Sequence, residues 1–241
     1  MQLFENRIAL VTGASRGIGR ATALALARGG AHIIATARTQ GGLEDLDDEI
    51  KAAGSTATLV PADLKDFAAI DRLGAAIFER WGRLDVLVGN AGMLGKITPL
   101  GHMDPKEWDE VMAVNVTSNW RLIRSLDPLL RASDAGRAIF VTSGLASKCW
   151  AYWGGYSISK AALEALVKTY AAENATTAVR ANLVSPGPVR TKMRATAMPG
   201  EDPETLPTPD AVAAQLIEMC QAGFTGNGET WKYFEDGLKR V

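Results

Sequence analysis

Between Ser143 and Lys160 the chain carries three side chains that could hold or move a proton: the Ser143 hydroxyl, the Tyr156 phenol and the Lys160 ammonium. Tyr156 and Lys160 stand four residues apart, so on a helix they share one face, and an ammonium held beside a phenol favours the phenolate. Such a phenol could exchange protons near neutral pH, with a substrate oxygen placed between it and the Ser143 hydroxyl. Each residue also has an ordinary reading. Tyr156 could be a core aromatic with a satisfied hydroxyl and Lys160 a solvated helix residue.

The elements that must position these groups follow from the apolar pattern. Short β-branched runs at 8–11, 32–36, 58–61, 86–88, 138–141, 179–184 and 230–234 alternate with helical patterns near 18–28, 43–53, 67–81, 105–131, 156–174 and 211–221. That alternation predicts βαβ units in an α/β fold: a doubly wound, seven-stranded parallel sheet with helices on both faces. No repeat or linker breaks the rhythm, so 1–241 reads as one Rossmann domain. Its irregular part, 188–209, is proline-rich and carries Met193 and Met198, as a cover over a site could be. Ser143 then falls just past the fifth strand and Tyr156 at the start of the helix that follows.

The turn after the first strand reads Thr12-Gly13-Ala14-Ser15-Arg16-Gly17-Ile18-Gly19. Between a strand and a helix, its backbone N–H groups could hold a pyrophosphate, although a plain tight turn also needs glycine. After the second strand, where NAD sites place an acid for the ribose, the chain has Thr36-Ala37-Arg38-Thr39-Gln40. Arg38 there, with Arg16 in the glycine turn, points to the 2'-phosphate of NADP rather than to NAD. The bland alternative is two solvated arginines. Asp63 could accept from an adenine amino group or cap the helix ahead. Asn90-Ala91-Gly92 could let a cofactor lie on the strand ends or form a simple turn. Asn115 sits in a helical pattern, where asparagine is a poor choice unless its amide has work.

Taken together, the chain resembles the short-chain dehydrogenase/reductase family, ketoacyl reductase-like members included, along essentially its whole length. The resemblance rests on the turn from Thr12 to Gly19, Asp63, Asn90-Ala91-Gly92, Asn115, Ser143, Tyr156-x-x-x-Lys160 and Pro186-Gly187. It implies an oxidoreductase moving hydride between NADP(H) and a carbonyl or alcohol. Tyr156 would be the acid/base and Ser143 would orient the substrate oxygen. Lys160 would bind the nicotinamide ribose and lower the phenol's pKa, and Asn115 would support a proton-relay water. The cofactor would meet Gly13, Ser15, Arg16, Gly17, Ile18, Gly19, Arg38, Asp63, Asn90, Ala91, Gly92, Tyr156, Lys160, Pro186, Gly187, Val189 and Thr191. A homodimer or homotetramer is implied as well. Gly89 departs from the pattern, standing where the family often has a second asparagine. A regulator that keeps the fold with little catalysis is the competing reading.

Composition narrows the partners. A formal charge of -1 gives no basic excess for nucleic acid or an anionic membrane. No apolar run approaches the roughly 20 residues of a membrane span, and the N-terminus runs straight into a strand, so a cytoplasmic protein is expected. Two cysteines, Cys149 and Cys220, and two histidines leave little for a metal site, and none is expected. The substrate side would be Gly144 to Gly155, with Leu145, Trp150, Tyr152 and Trp153, together with Met93, Leu94, Met193 and Met198. These imply a wide, partly aromatic pocket. Lys148, Arg190 and Arg194 could meet an acidic substrate or remain solvated.

Overall fold

The computed structural model describes residues 3–241. Eight strands form one sheet in the order β3-β2-β1-β4-β5-β6-β7-β8. They are β1 Ile8–Thr12, β2 His32–Ala37, β3 Ala57–Pro61, β4 Val86–Gly89, β5 Arg137–Val141, β6 Arg180–Ser185, β7 Thr230–Lys232 and β8 Lys239–Arg240. The helices are α1 Gly17–Arg28, α2 Gln40–Ala52, α3 Phe67–Trp81, α4 Pro105–Met112, α5 Ser118–Arg131, α6 Leu145–Lys148, α7 Gly154–Glu173, α8 Lys192–Ala197 and α9 Pro209–Leu216.

Strand periodicity sorts the core into two layers. In β1, Ala9 and Val11 face one cluster with Leu24, Leu43 and Leu216, while Ile8 and Leu10 face the other with Ile70, Leu126 and Val167. β2 and β5 divide likewise: Ile33 and Ile139 go to the first layer, Ile34 and Phe140 to the second. Strands buried on both faces must read as continuous apolar runs, which is why the alternation of polar and apolar residues is missing from them. The chain reverses direction across the sheet between β1 and β4, paired through Ala9↔Val86 and Val11↔Val88. In such sheets the crevice at that switch, beyond the carboxyl ends of the strands, is where ligands sit.

Three expectations are corrected. The sheet has eight strands, because the chain turns at Asp236-Gly237, with Gly237 at φ 124°, and returns antiparallel as β8, pairing Trp231↔Arg240. The seventh strand stops at Lys232, where Phe234 leaves the ladder to lie under the Lys232 and Lys239 ammonium groups at 4.9 and 5.0 Å. The pattern from 105 to 131 is two helices joined by a π turn at Ala113–Thr117. There Ser118 Oγ donates to the Val114 carbonyl (2.7 Å) and Asn119 Nδ2 to the Asn115 carbonyl (2.9 Å). Side chains inserted into the ladder are a standard cause of such a bulge.

Candidate active site

The floor of the crevice is built by β5 and α7. Ser143 lies just beyond the end of β5, where its Oγ accepts from Leu145 N at 3.3 Å and its hydroxyl stands beside the Tyr156 phenol. Lys160 is buried and donates from Nζ to the Val141 carbonyl at 2.8 Å, with its nitrogen 5.7 Å from the Tyr156 ring centre. Burial takes water from the ammonium and pulls its pKa down to about 8. Burial also pushes the Tyr156 phenol up, and the neighbouring Ser143 hydroxyl opposes that rise. The Lys160 ammonium is aimed at a backbone carbonyl. One residue closer to the strand, Thr142 Oγ1 donates to Glu164 Oε1 at 2.9 Å, a second latch between β5 and α7. Glu164 is missing from the sequence reading, although it stands four residues past Lys160 and so on the same helix face.

The Asn115 amide does have work. Its Oδ1 accepts from Met93 N at 2.8 Å, and its Nδ2 donates to Met93 O and to Ser159 Oγ, each at 2.9 Å. The side chain thus braces the loop after β4 against α7 and has no N–H left over. The Asn115 main-chain carbonyl accepts from Asn119 Nδ2 at 2.9 Å. Asn119 also explains Gly89. A Cβ there would stand 2.3 Å from the Phe140 ring and 2.8 Å from Asn119 Oδ1, so Phe140 and Asn119 fill the space of a second asparagine.

The glycine turn and Asn90-Ala91-Gly92 interlock. Thr12 Oγ1 accepts from Asn90 N and Ala91 N, both at 3.0 Å, and Asn90 Nδ2 donates to the Thr12 carbonyl at 2.9 Å. A Cβ on Gly19 would meet that amide nitrogen at 2.3 Å. Gly13 and Gly17 take φ 66° and 59°, values that favour glycine. The α1 N-terminus has no acid in its first turn and no side-chain cap, leaving its N–H groups for a ligand. Ser15 lies against Gly42 of α2, whose Cβ would come within 3.0 Å of it, and Ile18 packs on the core. Arg16 and Arg38 are exposed and belong to no ion pair among the described residues, unlike Arg20, which pairs with Glu49. Asp63 accepts from Lys65 N at 2.9 Å, and the cap of α3 is Asp66, accepting from Ala69 N at 3.0 Å. The capping alternative for Asp63 thus belongs to Asp66.

On the far side, Pro186 is buried, Gly187 is exposed at φ 71° and Val189 is buried. Thr191 caps α8 through Arg194 N at 3.2 Å, and its methyl would lie 3.4 Å from a Cβ on Gly17, next to the glycine turn. Arg190 pairs with Glu204 at 2.9 Å and Arg194 with Glu201 at 2.5 Å. Those two cations are therefore committed within 188–209 rather than held out to an acidic substrate.

The rim between β5 and α7 is of another kind. Trp150, Trp153 and Tyr156 form an edge-to-face series with ring centres 6.4 Å apart at each step. Cys149 and Tyr152 take φ 48° and 73° without being glycine, a conformation costing on the order of 1–3 kcal/mol each. The Tyr152 carbonyl accepts from Thr98 N at 2.9 Å. Leu100 and Met103 lie where a Cβ on Gly154 or Gly155 would be, at 2.8 and 2.4 Å. The loop after β4 thereby holds the strained loop in place.

A family model for short chain dehydrogenases matches residues 7–202. The chain belongs to the short-chain dehydrogenase family. It is 39% identical over 210 residues to an uncharacterized oxidoreductase, YciK, of Escherichia coli K12, covering 86% of this chain and 83% of the relative. It is 37% identical over 203 residues to an uncharacterized NAD-dependent oxidoreductase of Mycobacterium tuberculosis, covering 78% and 74%. A short-chain dehydrogenase of Shigella flexneri 2a complexed with NADP has a TM-score of 0.92 at 35% identity, covering 96% of this chain and 98% of that one. Family membership makes the chain an oxidoreductase with the Rossmann-like fold described above. No helix among the described residues is long and apolar enough to cross a membrane.

Proposed function

We propose that this short-chain dehydrogenase moves hydride between NADP(H) and a carbonyl or alcohol substrate, with Tyr156 as proton donor and acceptor. The observation carrying this reading is the buried Lys160, its Nζ 5.7 Å from the Tyr156 ring centre on the preceding turn of α7, with the Ser143 hydroxyl beside the phenol. When bound, the nicotinamide supplies or takes the hydride at the substrate carbon. Ser143 holds the substrate oxygen. In reduction Tyr156 gives that oxygen its proton, and in oxidation the phenolate takes it back. Lys160 holds the nicotinamide ribose, and the Asn115 carbonyl holds a water that resupplies the proton.

The residues fit NADP on the structure's own terms. The uncapped α1 N-terminus with Gly13, Ser15, Gly17, Ile18 and Gly19 takes the pyrophosphate. The exposed Arg16 and Arg38 take the 2'-phosphate. Asp63 has a carboxylate oxygen left for the adenine amino group. Asn90, Ala91 and Gly92 support the cofactor from the β4 side, and Pro186, Gly187, Val189 and Thr191 support the nicotinamide from the β6 side. The Shigella structure with NADP favours that cofactor, while the NAD-dependent Mycobacterium relative keeps NAD as the competing one. In this reading 1–241 is one domain, 188–209 covers the substrate, and the protein works in the cytoplasm as a homodimer or homotetramer. The exposed Trp120 on α5 and Ile158 on α7 are apolar surface for such contacts.

The test is NADPH oxidation across a broad carbonyl panel with the wild type and Tyr156→Phe. Turnover that collapses in the variant supports the assignment. Tight NADPH binding without turnover of any carbonyl would replace it with the regulator reading.

A further inference from the structure

We infer that the rim joining 94–103 to 149–155 is a platform for an aromatic ring attached to the reacting carbon, so that the substrates are aryl ketones or aldehydes and the matching benzylic alcohols. The inference rests on the oxidoreductase reading above and names the substrate class of the same site.

Three observations converge on it. First, the aromatic series ends on the residue that handles the proton. Tyr156 is followed outward by Trp153 and Trp150 at 6.4 Å per step, about the width of one ring. A substrate with its oxygen on the Tyr156 hydroxyl therefore has an indole within reach of whatever its carbonyl carbon bears. Aromatic rings meet in edge-to-face or offset geometry at such centre-to-centre spacings of 4.5–7 Å. Second, the outer end of the series is surrounded by exposed apolar side chains: Trp150 is 48%, Tyr152 59%, Leu100 56% and Ile97 41% exposed, all within the two tied loops. Cys149 and Tyr152, both at positive φ, lie within that group, and strain of this kind persists at functional sites. Third, the charge is wrong for an acidic or carrier-borne substrate. Arg190 and Arg194 are paired with Glu204 and Glu201, and Lys148 lies over the Trp150 ring at 5.7 Å. The rim thus offers ring faces and a cation already on an aromatic.

The reaction balances as a two-electron reduction. The carbonyl carbon gains hydride from NADPH, the oxygen gains the Tyr156 proton, and water reprotonates Tyr156.

The experiment compares acetophenone with cyclohexyl methyl ketone, ketones of the same heavy-atom count, as kcat/KM in NADPH oxidation by the wild type, Trp153→Leu and Trp150→Leu. The expected result is an aryl preference in the wild type that falls about three- to tenfold in either variant, the range an aromatic pair contributes. Equal kcat/KM for the two ketones, or turnover of other carbonyls with neither of these, overturns the inference and leaves the oxidoreductase reading standing. An aryl preference unchanged in both variants overturns it as well. If Trp150→Leu keeps the preference but lowers the native mass in solution, the rim is a contact between copies of the chain. Absence of turnover with any carbonyl defeats the oxidoreductase reading itself, and the substrate class with it. Because Trp150 is a surface residue, its variant reports even where Trp153→Leu fails to fold.

Discussion

The floor of the crevice and its rim are held in opposite ways. On the floor buried polar groups are bonded across elements. Asn115 ties Met93 to Ser159, Thr12 ties Asn90 to Ala91, and Lys160 and Glu164 both tie α7 to the end of β5. The rim is held by a few backbone bonds and two strained residues. Buried, hydrogen-bonded groups allow little freedom of position, which suits proton transfer at a fixed point. Exposed apolar side chains on a pinned loop can be exchanged without unfolding the protein, which suits a surface that chooses among substrates.

Substitutions can break this contrast at several levels. Tyr156→Phe should have the largest effect, a loss of about 10²–10⁴ in kcat with little change in melting temperature, read in steady-state kinetics; near-normal rates would remove Tyr156 from the chemistry. Arg38→Asp should come next, reversing the NADPH/NADH ratio of kcat/KM by roughly ten- to a hundredfold, since a charge-assisted pair of about 1.5–3 kcal/mol is exchanged for repulsion. An unchanged ratio would exclude Arg38 from the 2'-phosphate site. Asn115→Ala leaves the Met93 groups and Ser159 short of partners inside the protein, and denaturant unfolding should record a loss of about 1–3 kcal/mol. Glu204→Gln, in the 188–209 segment, should leave the melting temperature within scatter, because exposed ion pairs such as the one it makes with Arg190 contribute little. A large loss there would mean that this segment is as tightly determined as the floor.

Lys160 offers a pH test of the floor. Its pKa falls from 10.5 to about 8 on folding, so between those values the unfolded chain binds the extra proton and wild-type stability rises with pH. Below about 8 the folded protein carries the full cost of a buried ammonium. Relative to wild type, Lys160→Met should therefore gain most below pH 8 and lose that advantage progressively toward pH 10.5. A gap in melting temperature that does not vary with pH would show that Lys160 is not desolvated in solution.

Much of this was legible in the residues. The β1–α1 turn is marked by glycines whose φ values require them, and the strands of the parallel sheet by apolar runs buried on both faces. The family spacing of Ser143, Tyr156 and Lys160 brings the three side chains onto one floor, as their positions imply. The unread features lack a residue signature. β8 is two residues long, too short for any period. A π turn is a change of hydrogen-bond partner that leaves the apolar spacing nearly intact. Asp63 and Asp66 are equally good caps, and only the position of Phe67 decides between them. The positive φ at Tyr152 has no glycine to announce it.

The π turn at Ala113–Thr117 also fixes a point of chain length. A wide turn holds one residue more than the regular helix needs, and each helical residue advances about 100° around the axis. Deleting Asn115 would let α4 run smoothly into α5 with Leu122, Leu126 and Leu129 still facing the sheet, but it would withdraw the brace on Met93. The irregularity is a phase correction: it lets one helix present an apolar stripe to the core and an amide to the crevice.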